Sequence, residues 1–109
     1  METVLIGQAT EDQLKQWKEE IIAKYGHNSK LFSYEVDGRI CYLRSLDRNT
    51  YALATTKVMQ SPAKFNEVVI ENTWMGGDET LRKNDEYYFG LIEFVEELMT
   101  KKKGSLKQL

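Results

Sequence analysis

The spacing of apolar and polar residues changes several times along the chain, and each change predicts an element. From Glu11 to Tyr25 the residues Leu14, Trp17, Ile21 and Tyr25 recur at helical spacing and form one stripe, with Lys15, Lys18 and Glu19 turned away from its centre. Thr10 followed by Gln13 reads as a capping box for this helix, because each side chain can satisfy a backbone donor that the first turn leaves unpaired. Gly26, His27 and Asn28 tolerate turn conformations and end it. Between Lys30 and Ser45 the period falls to two. Phe32, Tyr34 and Val36 alternate with Ser33 and Glu35, and Asp37-Gly38 is a strong signal for a two-residue hairpin turn. Such a turn pairs Val36 with Arg39, Tyr34 with Cys41 and Phe32 with Leu43, which gathers the larger apolar groups on one face. Ile40 and Tyr42 fall on the other face, so that side is expected to be partly covered as well.

Helical spacing then returns. Asp47 is a good N-cap for a helix running to about Gln60, with Tyr51, Ala54 and Val58 on a face rich in small residues. Ser61-Pro62 marks a new start, since proline at the first helical position loses no needed donor. Phe65, Val68 and Val69 set the buried stripe of this third helix. Asn72 falls within it and is expected to be hydrogen-bonded, because a buried amide without partners costs about 1–3 kcal/mol. Gly76-Gly77 reads as the stop. A last helix is predicted from Asn84 or Asp85 to about Lys102, with the apolar residues from Tyr87 to Met99 covering an arc of roughly 160°, wider than a surface helix needs. Phe89 breaks that pattern by projecting among Asp85, Glu93 and Glu96. Lys101-Lys102-Lys103 suits a helix C-terminus, and Gly104 can cap it. The expected fold is α+β: a two-stranded antiparallel hairpin packed with about four helices, the long C-terminal helix in the middle.

Composition narrows the class. With 109 residues, 41% apolar and 29% charged, the chain suits one globular domain able to bury a modest core. Fifteen basic against seventeen acidic residues leave a net charge of -2, which provides no general field for phosphates, so no nucleic acid partner is expected. One cysteine, Cys41, cannot form an internal disulfide, and one histidine, His27, leaves no zinc ligand set; no metal or cofactor is expected. Val4-Leu5-Ile6 is too short an apolar run for a secretory segment or a membrane span, so a cytoplasmic protein without membrane contact is expected.

The residues that could carry chemistry each have a plainer reading. His27 lies in a turn, and Cys41 sits on the core face of the hairpin as a small apolar group. Asp78-Glu79 offers too few oxygens for calcium and reads as a solvated turn. Gly76-Gly77 lacks the pattern of a phosphate loop, and the lysine run lacks the interleaved aromatics of a stacking surface. No catalytic set emerges, so the expected role is non-enzymatic. Trp74, Met75 and Phe89 are the candidates for a protein-binding surface, because large or flexible apolar side chains near turns make adaptable contacts. Core packing is the plainer reading of Trp74. An amphipathic helix of a partner laid against these residues is the functional one.

In this order, several segments form a familiar pattern. They are Trp17-Lys18 on the first helix, the Phe32 to Leu43 hairpin, and Arg44 to Arg48 leading into a small-residue helix. Asn72-Thr73-Trp74-Met75-Gly76-Gly77-Asp78-Glu79 and the closing Gly104-Ser105-Leu106-Lys107-Gln108-Leu109 complete it. The chain resembles the small tail assembly chaperone-like proteins encoded by tailed phages and prophages. It departs from them in lacking the usual proline after the hairpin arginine, around Leu46. The resemblance implies a protein that binds the long, helical tape measure protein and keeps it soluble while tail tube subunits assemble, with the tail tube protein as a further partner. A self-assembling tail or head completion component using Val4-Leu5-Ile6 as an added strand is a second reading, and a small enzyme a third.

Overall fold

The computed structural model describes residues 4–58 and 61–109. It is α+β, with five helices and a three-stranded antiparallel sheet of order β1-β2-β3. The first helix, α1 (Glu11–Tyr25), has the predicted bounds, and the Thr10 hydroxyl accepts from the Gln13 N–H at 3.1 Å as an N-cap. The hairpin of β1 (Leu31–Val36) and β2 (Arg39–Arg44) has the predicted register, with Val36 opposite Arg39, Tyr34 opposite Cys41 and Phe32 opposite Leu43. Asp37 at φ 51° and Gly38 at φ 74° form its turn, the left-handed pair that matches the twist of the flanking strands.

The sheet divides the molecule into two unequal layers. On the Cys41 and Leu43 face lies the main core, built with Ala54 of α2 (Arg48–Val58), Val69 and Ile70 of α3 (Pro62–Thr73), Leu81 of α4 (Thr80–Lys83) and Leu91 of α5 (Asp85–Ile92). Val95 and Leu98, in a single 3-10 turn (Val95–Leu98), close it. On the other face α1 covers Ile40 and Tyr42, both buried, with the Trp17 and Tyr42 rings 5.5 Å apart. The expected cover on that side is thus nearly complete.

Several expectations are corrected. The Gly76-Gly77 stop is part of a third strand, β3 (Trp74–Gly77), antiparallel to β2. Its glycines serve close approach: a Cβ on Gly76 would lie 2.7 Å from the Trp17 ring, and one on Gly77 would lie 2.4 Å from the Cys41 backbone. The long last helix is broken. Asn84 caps α5 as predicted, its side chain accepting from the Glu86 N–H at 3.0 Å, but the α-helix ends at Ile92. After the 3-10 turn the Leu98 carbonyl accepts from the Leu46 N–H at 2.7 Å, so tertiary pairing takes the group that a continuing helix would use. Lys101-Lys102-Lys103 therefore has no helix end to complement, and Gly104 caps nothing.

Asn72 is exposed and spends its amide on the Val68 carbonyl at 2.7 Å, while Thr73 takes the buried position. On the predicted small-residue face Ala54 is fully buried, whereas Tyr51 is 43% exposed. Residues 59–60 and the Val58 side chain, where that helix was predicted to finish, lie outside the described residues.

The segment before α1 is tied to the sheet. The Ile6 N–H donates to the Gly38 carbonyl at 2.9 Å and the Ile40 N–H to the Ile6 carbonyl at 3.0 Å, a parallel bridge beside the start of β2. Part of the Val4-Leu5-Ile6 run thus pairs within its own chain.

Candidate functional site

A concavity runs along β1. It has a volume of about 320 Å³ and is lined by Phe32, Tyr34 and Leu43 from the sheet and by Leu91, Phe94 and Leu98 from the C-terminal segment. The sheet side exists because Phe32 and Tyr34 alternate out of a strand whose other face carries Ser33 and Glu35. The opposite wall exists because the break after Ile92 turns Phe94 onto Tyr34, their rings 5.5 Å apart. Phe94 keeps 42% of its surface exposed there.

β1 is also an edge strand. Val36 and Arg39 close the two-residue turn as a hydrogen-bonded pair, so alternation makes Tyr34–Cys41 and Phe32–Leu43 hydrogen-bonded pairs too. The N–H and C=O groups of Leu31, Ser33 and Glu35 therefore point away from the sheet, and among the described residues no backbone group pairs with them. The groove lies directly beside this row. Glu97 places an acid at its rim. Burial raises the Tyr34 phenol above its ordinary value, and Glu93 and Asp37 add to the shift.

The three predicted contact residues do not share this groove. Trp74 is half-buried against the main core beneath the Arg82 guanidinium, which lies 4.5 Å from its ring centre and is held by both carboxylate oxygens of Glu79. The next residue, Met75, is also half-buried and lines a shallow depression on the α1 face with Ile21, Tyr25 and Arg44. Phe89 is 61% exposed on α5, with the Tyr88 ring 6.2 Å away. The groove residues Phe32, Tyr34, Phe94 and Leu98 all carried apolar periodicity, which reads as core. No local signal joins a strand near residue 33 to a helix break near residue 93.

The candidates for covalent or metal chemistry are quickly placed. Cys41 is fully buried, and desolvation pushes its thiol up to about 12, so it stays protonated at neutral pH and is not a nucleophile. His27 is exposed in the turn after α1. Asp78, expected in a solvated turn, is instead engaged by Arg39 and accepts from the Thr80 N–H at 3.1 Å; the Arg39 hydrogen bond holds its carboxyl below the usual range. Among the described residues no group of three or more His, Cys, Asp or Glu side chains is placed to hold a metal ion. Among the described residues no helix is long and apolar enough to cross a membrane.

Comparison with protein-family models, with curated proteins and with solved structures gave no match for this chain.

Proposed function

We propose that this chain is a non-enzymatic protein-binding module of the phage or prophage tail assembly chaperone kind, which holds an apolar segment of the tape measure protein and keeps it soluble while the tail tube assembles. The observation that carries the binding role is the apolar groove beside the open edge of β1. Concave apolar surface next to unpaired strand groups is what a partner segment uses, either by laying an amphipathic face into the groove or by adding to the sheet. The phage assignment rests on the ordered resemblance that ends in Asn72 to Glu79 and Gly104 to Leu109. Phe89 extends the exposed apolar surface of α5 and is a second contact in this reading. Trp74 and Met75 border other surfaces, and contact through them requires a partner that reaches past the groove.

Co-expression of the full chain with a tape measure fragment tests the reading. Phe94→Asp places a carboxylate on the wall of the groove and is expected to lower the captured fraction at least tenfold, with the fold checked by circular dichroism. Phe89→Asp is expected to weaken capture while thermal stability stays nearly unchanged, since substitution at so exposed a site moves stability by no more than about 0.5 kcal/mol. Undiminished capture by both variants would remove the groove and Phe89 from the proposal.

A further inference from the structure

Residues 101–109 form a second surface of note. From Lys101 to Leu109 every residue is exposed and none has regular secondary structure. Leu106 and Leu109 are fully exposed, at 101% and 115%. The molecule measures 61 Å along its longest axis and 32 × 22 Å across. Apolar side chains held fully in water are an unmet opportunity for burial, at about 25 cal/mol for each Å² covered.

The groove along β1 has the complementary chemistry. Its floor is apolar, Glu97 lines its rim, and Glu93 and Asp37 stand near enough to act on Tyr34. The terminal segment carries Lys101, Lys102, Lys103 and Lys107 around its leucines. Opposite charge on two surfaces steers their encounter and fixes their register. The outward N–H and C=O groups of Leu31, Ser33 and Glu35 offer the backbone pairing that an extended segment without partners of its own can accept. Lengths also agree. Five residues from Ser105 to Leu109 extend about 17 Å, close to the roughly 20 Å of a six-residue strand, and the lysines and Gly104 leave slack for the crossing.

We infer that residues 101–109 of one copy add as a strand to β1 of a second copy, seating Leu106 in the groove and setting the lysines against its acidic rim. Each copy offers one edge and one arm, so reciprocal exchange closes a two-fold dimer. This goes beyond the partner reading and does not depend on it, because the test uses the chain alone.

Sedimentation velocity of the full chain at increasing concentration, at low and high salt, provides the test. The expected result is a monomer that converts to a dimer with concentration, the midpoint moving to higher concentration in high salt as the ion pairs are screened. Ser33→Pro removes an outward donor while leaving the pairing of β1 with β2, and Leu106→Asp places an acid against the acidic rim; each alone is expected to stay monomeric over that range. Mixing them is expected to restore a heterodimer, because the first retains a normal arm and the second a normal edge. Should Ser33→Pro fail to fold, a triple Lys101→Glu, Lys102→Glu, Lys103→Glu variant tests the arm a second time; these side chains lie outside any helix or strand, and the variant is expected to stay monomeric both alone and mixed with Leu106→Asp, because neither then carries a normal arm. A wild-type chain that remains monomeric throughout, including one whose arm folds onto its own edge, overturns the inference. So do variants that dimerise as well as wild type.

Discussion

The Arg44 guanidinium lies 3.9 Å from the centre of the Tyr25 ring, stacking the end of β2 on the end of α1. Arg44 is 4% exposed, and it donates to Asp47 Oδ1 at 2.8 Å and to the Ser45 carbonyl at 3.1 Å. Asp47 in turn accepts from the Thr50 N–H at 3.2 Å at the start of α2. One buried cation thus joins a helix on one face of the sheet to a helix on the other, and its charge is tolerable because Asp47, the Ser45 carbonyl and the Thr50 hydroxyl accept from it while the Tyr25 ring covers one face.

Asp47→Asn is therefore expected to destabilise the fold by about 2–3 kcal/mol at neutral pH, because Arg44 loses its counter-charge while remaining buried. Burial alone would raise the Asp47 carboxyl, but the hydrogen bonds from Thr50 and Arg44 hold it below its ordinary value. The folded chain thus keeps this carboxylate ionised where the unfolded chain protonates it. The stabilisation is complete at neutral pH, begins to fall below the ordinary carboxylate value of about 4, and is lost as pH drops through the depressed folded value. Urea denaturation of both proteins as a function of pH checks this: the two stabilities converge in acid.

Gly76→Ala is expected to cost about 1–3 kcal/mol, since the added methyl meets the Trp17 ring, which is itself packed on Tyr42. In a Trp17→Ala background the same change is expected to cost almost nothing. A double-mutant cycle by thermal denaturation reads the difference directly.

Cys41 gives the opposite pH dependence to Asp47. Its buried thiol keeps its proton up to about 12, whereas the unfolded chain loses that proton in the ordinary thiol range. The resulting stabilisation is fully present below that range and declines as pH rises through it. Relative to Cys41→Ala, wild type is expected to lose up to about 1.4 kcal/mol per pH unit between the two values. At pH 8 a thiol reagent is expected to label Cys41 only as fast as the molecule unfolds.

Asn72→Ala is expected to change stability by less than about 0.5 kcal/mol, because its amide bonds the Val68 carbonyl of its own helix at the surface. Thr73→Ser, which removes one methyl from a fully buried side chain but keeps its hydroxyl bond to the Val69 carbonyl, is expected to cost about 1 kcal/mol. Chemical denaturation of the pair distinguishes the two positions.

That pair also illustrates what could be read from the residues beforehand. Where local chemistry decides, the reading was close: Thr10 sets the start of α1, and Asp37-Gly38 sets both the turn and the register of the hairpin. The burial phase of α3 was off by one position, because the stripe of Phe65, Val68 and Val69 is equally consistent with Asn72 or Thr73 facing inward, and only the approach of the sheet decides. Trp74–Gly77 was missed as a strand because four residues with two glycines have no alternation; they pair with β2 from more than thirty positions away. The same long-range character hid the groove. Apolar residues from Tyr87 to Met99 fit one wide helical arc, and nothing in their spacing marks the end of the helix at Ile92 or the pairing of Leu98 with Leu46 beyond it.

The position of β2 has a consequence for how the molecule opens. It has β1 along one edge, β3 and Ile6 along the other, α1 over one surface and the main core over the opposite surface. The N–H groups of Cys41 and Leu43 pair with β1, and baring them also pulls Phe32 and Tyr34 off the main core, so hydrogen–deuterium exchange at these two amides is expected to be slow and to report the opening of that core. A single short strand thus carries, along its edges and over its faces, the contacts of nearly every layer, and its exchange rates read how firmly those layers hold together.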